Sequence, residues 1–266
     1  MRLAPLMIYL RRTGFLLSLV VLAACSSPPP PPPPAPPEEV GVVRVPVLIE
    51  DGLPWLEATV QGKPVQLLLD LGGFDAVALT SESLSGLDVN WTGKSKFTFS
   101  AMGESARAKE YVVRDFILSG IKFPEVRGYE DLLHGKHRSQ PRSGYLGLGV
   151  LRRFRIILDY EAGRLVLIWP DAPMPAGYDV ENWAKLEFKD NPDGVMARVK
   201  LDGTERLLVW DTGASHCVLN KGLEGAAPVA VKNGHPFATM DSFEVAGREA
   251  GPMDFALLAF SEPKAP

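Results

Sequence analysis

Short apolar segments separated by turn residues recur along the chain from Val40 onward. They are rich in β-branched and aromatic residues, and Gly, Pro, Asn and Asp stand between them. This pattern is typical of short β-strands and predicts a β-dominated domain. Gly62-Lys63 and Asp202-Gly203 are predicted to form tight hairpin turns, each ahead of an apolar run. The segments include VVRVPVLI (42–49), LEATV (56–60), VQLLL (65–69), KFTFS (96–100), FRIIL (154–158) and LVLI (165–168).

Two of these apolar runs end in the same pattern. The stretches VQLLLDLGGFDAVAL (65–79) and RLLVWDTGASHCVL (206–219) both run into Asp-x-Gly and then into a second apolar segment. When Asp70 is aligned on Asp211, an offset of 141 residues, the turn residue Gly62 falls on Gly203. An internal repeat of this length indicates a duplicated lobe.

The repeated Asp-x-Gly suggests a specific chemistry. An aspartate at the end of a buried strand needs hydrogen bonds to its carboxylate, and the glycine two residues later lets backbone N–H groups approach it. Two such loops facing each other would share a proton between Asp70 and Asp211. One carboxylate can then act as general base on a water molecule while the other, protonated, polarises a carbonyl group.

DTGAS, at Asp211–Ser215, resembles the active-site signature of pepsin-like and retroviral-type aspartic proteases. GYLGLGVLRRFRIILDYEAGRLVLI (144–168) is similar to the closing segment of bacterial retropepsin-like domains, and the resemblance covers roughly residues 42–260. It implies an all-β chain with two acid-protease-like lobes in tandem, a peptide or protein substrate, and no cofactor or metal. The site residues that it implies are the catalytic Asp70 and Asp211, supported by Thr212, Gly213, Gly72 and Ser215.

The first loop departs from the family pattern. In the family, the Thr or Ser after each catalytic aspartate holds the two loops together by hydrogen bonds across the lobes. Thr212 can do this and Leu71 cannot. Asp75 also brings a third carboxylate near the pair, unless its side chain points away.

The second lobe is shorter than the first. The first lobe contains a candidate flap, FTFSAMGESARAKEYVV (97–113), with Met102 and Gly103 near its tip, and the second lacks an equivalent. The counterpart of the closing segment would begin beyond Pro266, which predicts a truncated second lobe. The predicted domains are a signal peptide (1–24), a lipidated cysteine with a proline-rich linker (25–39), a first lobe (40–172) and a truncated second lobe (173–266).

The N-terminal residues predict export and a lipid anchor. Three arginines precede a short apolar run, GFLLSLVVLAA (14–24), a pattern typical of a signal peptide. Leu22-Ala23-Ala24-Cys25 resembles the bacterial lipoprotein box, which implies acylation of Cys25 and a membrane anchor. By the sorting rule of the enterobacterial lipoproteins that this segment resembles, Ser rather than Asp at residue 26 implies attachment to the outer membrane, facing the periplasm. Residues 28–37 contain nine prolines, which favour an extended spacer.

Net charge and cysteine content limit which binding partners and which disulfide bonds are expected. Without the three signal-peptide arginines the chain has 25 basic and 32 acidic residues, a net charge of −7. There is no basic stripe, so nucleic acid is not an expected partner. If Cys25 is lipidated, Cys217 has no partner within the chain, and its apolar neighbours predict a buried thiol.

Other motifs favour other functions weakly. Ser215 and His216 could suggest a serine hydrolase, but adjacent strand residues point to opposite faces. His134 and His137 have metal-like spacing without a third ligand nearby, so a polar loop is the better interpretation.

Two hypotheses for the function remain open. The first is a lipid-anchored aspartic peptidase, with a variant in which two chains pair into a symmetric site. The second is a pseudoprotease that binds peptide or a partner protein without cleavage.

Overall fold

The computed structural model describes most of the chain between Glu39 and Leu258. Strands account for 59% of it and helices for 6%, which confirms the all-β class expected from the apolar pattern. Within this part of the chain, no helix is long and apolar enough to cross a membrane. The described ranges are 39–99, 105–133, 142–186, 188–191, 194–222, 228–232 and 235–258.

A ten-stranded sheet is built from the first half of the chain, accompanied by the short helices α1 (Ser81–Ser85) and α2 (Leu148–Leu151). Its strands are β1 (Val42–Glu50), β2 (Leu53–Val60), β3 (Lys63–Leu69), β4 (Val77–Thr80), β5 (Asn90–Phe99), β6 (Ser105–Leu118), β7 (Ile121–Asp131), β8 (Gly144–Leu146), β9 (Arg155–Asp159) and β10 (Arg164–Ile168). They lie in the order β5-β6-β7-β4-β8-β3-β2-β1-β10-β9.

Two smaller sheets follow a single turn of 3-10 helix at Val180–Asn182. In the first, β12 pairs with β11, β13 and β17, and β18 extends it; the second has the order β14-β19-β16-β15. The strands are β11 (Phe188–Asn191), β12 (Gly194–Leu201), β13 (Thr204–Val209), β14 (Cys217–Asn220), β15 (Ala230–Lys232), β16 (His235–Met240), β17 (Phe243–Val245), β18 (Arg248–Glu249) and β19 (Met253–Leu258).

The strand pairing of β1–β3 recurs in β11–β13. The offset between equivalent residue pairs is the same as that between the two Asp-x-Gly motifs, so the sequence repeat is also a structural repeat. The matching pairs are Val60–Lys63 with Leu201–Thr204, and Glu50–Leu53 with Asn191–Gly194. The chain from Glu38 onward forms one compact unit, and its division into lobes at residue 172 stays a prediction.

The hairpin turn of the first repeat lies one residue earlier than predicted. Lys63 is already the first residue of β3, and the turn consists of Gln61 and Gly62, with φ of 52° and 75°. In the second repeat the turn is Asp202-Gly203, as expected, with φ of 46° and 75°. Positive φ at both central positions belongs to the tight hairpin turn whose twist matches that of the flanking strands.

The two repeats differ at β8. In the first sheet β8 lies between β3 and β4, parallel to the one and antiparallel to the other. Among the described residues of the second repeat, no strand occupies the position between β13 and β14. Side chains that are covered in the first repeat are therefore open in the second: Leu68 is 1% exposed, whereas its counterpart Val209 is 47% exposed.

Each Asp-x-Gly loop begins beside its own hydrophobic core. The first core includes Leu67 and Leu69 of β3 together with Val77 of β4 and Leu146 of β8. The second, smaller core surrounds Phe255 of β19 and includes Leu219 of β14. Buried strands on both sides of the first loop define where Asp70 is held, whereas the strands on either side of the second loop are mostly exposed or partly buried.

Candidate active site

Strands β3 and β13 each lead into an aspartate. Asp70 directly follows Leu69, which is fully buried, and Asp70 itself is only 4% exposed. Asp211 follows Trp210, whose N–H donates to the carbonyl of Val195 at 2.7 Å, and it is exposed. The two carboxylates therefore differ in solvation although their loops are related by the repeat.

Backbone amides hold both carboxylates, as expected for Asp-x-Gly turns. Oδ1 of Asp70 accepts hydrogen bonds from the N–H groups of Gly72 at 2.8 Å and Gly73 at 2.9 Å. Oδ1 of Asp211 accepts one from the N–H of Gly213 at 2.7 Å. These donors offset the cost of removing a carboxylate from water, a cost that is largest for the buried Asp70.

The two loops face each other reciprocally. A methyl group placed on Gly72 would lie 2.6 Å from Cγ of Asp211, and one placed on Gly213 would lie 2.7 Å from Cγ of Asp70. Each glycine is therefore packed against the carboxylate of the opposite loop. This arrangement brings Asp70, Asp211, Gly72 and Gly213 into one site, where two carboxylates can interact as a coupled pair.

Thr212 ties the loops together from one side. Its hydroxyl accepts a hydrogen bond from the N–H of Leu71 at 3.1 Å and donates one to the carbonyl of Leu69 at 2.7 Å. Leu71 has no hydroxyl to form the mirror pair, and its side chain packs against the first core instead. The second loop therefore makes side-chain hydrogen bonds to the first loop through Thr212, and the matching residue of the first loop, Leu71, cannot return them.

Asp75 points away from the pair. Its Oδ1 accepts a hydrogen bond from Nζ of Lys96 at 2.7 Å, and its Oδ2 accepts one from the hydroxyl of Tyr145 at 2.9 Å. Burial raises the pKa of Tyr145, and the negative charges of Asp75 and Asp70 raise it further. Tyr145 therefore stays protonated as a donor, and Lys96 neutralises the third carboxylate.

The segment that follows β8 supports the first loop from behind. The N–H of Asp70 donates to the carbonyl of Leu146, the last residue of β8, at 3.0 Å. The N–H of Leu148 donates to the carbonyl of Gly73 at 2.8 Å. Gly147 leaves no room for a side chain, since a methyl group there would lie 2.4 Å from the carbonyl oxygen of Asp75. This close approach gives a physical reason for the glycines of GYLGLG.

Of the remaining predicted site residues, Ser215 lies within the described part of the chain. Ser215 is exposed, and its hydroxyl lies 3.0 Å from Nδ1 of His216. The expectation that these two side chains diverge is wrong, because residues 211–216 form a bend rather than a strand. Met102 and Gly103 lie outside the described residues, as do Cys25, His134 and His137. The flanking strands β5 and β6 do form an antiparallel hairpin that ends at the pair Phe99–Ser105.

Cys217 is exposed, so the prediction of a buried thiol is wrong. It is the first residue of β14, and its Sγ lies 3.7 Å from Sδ of Met253. Partial desolvation raises the pKa of the thiol. The apolar sequence around it does not decide burial, since that depends on what covers this end of the strand.

Comparisons with known proteins bear on the fold. No family model matches the sequence, and no curated protein matches it. The solved structures to which the chain is similar include the following three. A retropepsin-like aspartic protease from Rickettsia conorii matches 48% of this chain and 91% of its own, at 22% identity and a TM-score of 0.35. Basic 7S globulin from soybean matches 85% and 79%, at 13% identity and a TM-score of 0.49. An aspartic proteinase from Irpex lacteus matches 79% and 78%, at 11% identity and a TM-score of 0.49.

Proposed function

We propose that the protein is an aspartic-type peptidase that hydrolyses peptide bonds through Asp70, Asp211 and a water molecule. One observation carries the proposal: each Asp-x-Gly glycine lies against the carboxylate of the opposite loop, at Gly72 and Gly213. Such reciprocal contacts are not needed for a strand-to-strand turn alone. They are what an arrangement of two cooperating carboxylates requires.

The chemistry follows from the coupling of the two carboxylates. Two nearby carboxylates do not both ionise readily, so the pair holds one shared proton over a range of pH. The ionised member removes a proton from water, which attacks the peptide carbonyl carbon, and the protonated member donates to the carbonyl oxygen. The carboxyl group that took a proton from water then passes it to the amide nitrogen as the C–N bond breaks and the amine leaves. The hydroxyl formed from the carbonyl oxygen returns its proton to the other carboxylate as the product acid forms, so the pair again holds one proton.

The substrate is proposed to be an extended peptide. The hairpin β5–β6 belongs to the first lobe, and its residue Lys96 contacts Asp75 in the loop that carries Asp70. A peptide lying beside this hairpin could pair with it as an added strand, with main-chain hydrogen bonds giving affinity.

The test is a peptidase assay on the chain from Glu38 onward, which forms one compact unit. A denatured protein substrate is incubated between about pH 3 and pH 7, the range over which paired carboxylates change protonation state. Asp70→Asn and Asp211→Asn are compared with wild type and with Asp171→Asn, a control at an exposed position. Loss of cleavage in both site variants, but not in the control, is expected.

Other results would change the proposal. Loss with Asp211→Asn alone would indicate a homodimeric site built from two second loops. No cleavage at any pH by wild-type protein would overturn the peptidase assignment for this chain.

A second candidate is a pseudoprotease that binds peptide or a partner protein in the same cleft. The observation favouring it is Leu71, which has no hydroxyl to form the counterpart of the two hydrogen bonds that Thr212 makes to the first loop. In that case wild-type protein and Asp70→Asn would bind a peptide equally in calorimetric titration, and neither would cleave it. A peptide that is cleaved by wild type and only bound by Asp70→Asn would instead identify an enzyme.

We further propose that the protein is attached to the bacterial outer membrane through a lipid on Cys25 and faces the periplasm. The support comes from the lipoprotein-box resemblance and the proline-rich spacer at residues 28–37. Labelling of cells with radioactive palmitate should mark the wild-type chain, and Cys25→Ser should lose the label and appear in the soluble periplasmic fraction. Equal labelling of both would refute the anchor at this residue.

A further inference from the structure

An ion pair joins the first active-site loop to the hairpin β5–β6, three strand pairs from the end of that hairpin at Phe99–Ser105. Nζ of Lys96, in β5, lies 2.7 Å from Oδ1 of Asp75, whose side chain is only 8% exposed. The side chain of Lys96 is 34% exposed, so the pair lies at the boundary between the loop and the solvent. Removing Lys96 would leave the carboxylate of Asp75 without its charged partner at a position that is largely shielded from water.

Lys96 also contacts an aromatic ring on the neighbouring strand β7. Its Nζ lies 4.1 Å from the centre of the Tyr129 ring, on β7. The Tyr129 hydroxyl donates to Oε1 of Glu110 at 3.1 Å, and the Thr92 hydroxyl donates to Oε2 of Glu110 at 2.7 Å. Glu110 is itself buried, on β6. Three strands therefore fix the position of the lysine before it reaches Asp75.

Tyr145 connects Asp75 to the loop that holds the Asp70 carboxylate. Its hydroxyl donates to Oδ2 of Asp75, and its ring lies so close to Gly73 that a methyl group there would meet Cε2 at 2.5 Å. The N–H of Gly73 is one of the two donors to Oδ1 of Asp70. A displacement of Tyr145 or Asp75 would thus change the support of Asp70.

We propose that Lys96, Asp75 and Tyr145 are positioning residues that lock the β5–β6 hairpin onto the Asp70 loop, close to the hairpin end at Phe99–Ser105. This rests on the proposed function, in which the hairpin lies over a bound peptide. The lock holds the hairpin at Lys96 in a fixed position relative to the Asp70 loop, so a peptide that pairs with the hairpin is also held in a fixed position relative to that loop.

Hydrogen exchange tests the lock without relying on activity. Full-length protein is compared with Lys96→Met, and with Lys109→Met as a matched control, since Lys109 is exposed in the same hairpin. In Lys96→Met, amides of residues 92–99 and 105–112 should exchange about 10-fold faster, as expected for local opening of a released element. Amides of residues 194–209 should be unchanged. Unchanged exchange in the hairpin of a folded Lys96→Met protein would overturn the proposal.

Two further variants cover the case in which Lys96→Met fails to fold. Lys96→Arg keeps the charge and should restore slow exchange, and the double variant Asp75→Asn/Lys96→Met removes both charges together. The double variant leaves no unpaired charge, so it can be compared directly with wild type when Lys96→Met does not fold, and its hairpin amides should exchange faster than those of wild type. Where Lys96→Met and Asp75→Asn also fold, the double variant should exchange no faster than Lys96→Met if the pair acts as a unit. Additive effects of the two substitutions would contradict the lock.

Activity then separates a positioning role from a purely structural one. If wild type cleaves peptide, Lys96→Met should lower kcat/KM about 10-fold or more at a temperature where it is fully folded, because a small misplacement is costly in a preorganised site. Lys109→Met should not. If wild type does not cleave, faster exchange in Lys96→Met still supports the lock while the peptidase proposal fails. Faster exchange with an unchanged kcat/KM would overturn the positioning role.

Discussion

The N–H of Leu71 donates to the hydroxyl of Thr212 at 3.1 Å, and the two residues occupy matching positions 141 residues apart. Thr212 reaches across to the first loop, but residue 71 cannot reach back because leucine has no hydroxyl. The pseudo-symmetric site is thus held by one threonine rather than two. This asymmetry makes the hydroxyl of Thr212 the first target for mutation.

Thr212→Val is expected to destabilise the protein and separate the loops. Valine keeps the shape but leaves the N–H of Leu71 and the carbonyl of Leu69 without their partner, which should lower the free energy of unfolding by about 1–3 kcal/mol. Urea unfolding followed by fluorescence measures this. Thr212→Ser, which retains the hydroxyl, is the control and should stay close to wild type. Equal loss in both variants would show that the hydroxyl is not what matters.

Leu71→Thr should supply the missing half of the connection. By the symmetry of the repeat, a hydroxyl at residue 71 can accept from the N–H of Thr212 and donate to the carbonyl of Trp210. Leu71→Val has the same shape without the hydroxyl, so the comparison between the two cancels the lost packing. Leu71→Thr should be more stable to urea than Leu71→Val by about 1–2 kcal/mol, the net value of two hydrogen bonds. If Leu71→Val is the more stable variant, the mirror bonds do not form.

Gly213→Ala should disable the carboxylate pair. The added methyl group would lie 2.7 Å from Cγ of Asp70, closer than van der Waals contact allows, so the loops must move apart. A displacement of this kind can cost about 100-fold in rate, measured as kcat/KM in the peptidase assay. Gly222→Ala is the matched control, because the nearest atom to its methyl group would be Oδ1 of Asn220 at 3.8 Å. Full activity in Gly213→Ala would argue against reciprocal packing of the loops.

Two buried tyrosines predict a loss of stability at alkaline pH. Burial raises the pKa of Tyr111 well above its ordinary value, and burial likewise raises that of Tyr145. In the folded protein these groups stay protonated, whereas in the unfolded chain they ionise near about pH 10. Their stabilising contribution is therefore complete below about pH 10 and declines as the pH rises above it, by up to about 1.4 kcal/mol per pH unit for each tyrosine.

Urea unfolding at a series of pH values from neutral to alkaline measures this decline. Tyr111→Phe should be less stable than wild type throughout, because the hydroxyl donates to the carbonyl of Val77 at 2.7 Å. Its stability should nevertheless fall less steeply with pH. Tyr160→Phe, at a residue that is 45% exposed, should change the slope less. A slope that is identical in wild type and Tyr111→Phe would contradict the assignment.

Local sequence was sufficient to predict the strands and the repeat, whereas the hydrogen bonds of Thr212 to the other loop were implied by the family resemblance. The strands and the repeat depend on short apolar runs and on Asp-x-Gly turns, which act within a few residues. The role of Lys96 was not predicted, since its partner Asp75 lies 21 residues away in the sequence. A lysine in a strand ordinarily faces solvent, so no pattern along the chain marks it as a partner of a buried carboxylate.

The sequence by itself determined that two aspartates end two related strands, because the duplicated pattern of apolar and turn residues sets backbone direction and register. Only the tertiary structure decided how their surroundings differ. Asp70 is buried beneath β8 and held by two amides, whereas Asp211 is exposed and held by one. Solvation and hydrogen bonding depend on what packs against each loop, and that packing comes from residues far away in the chain.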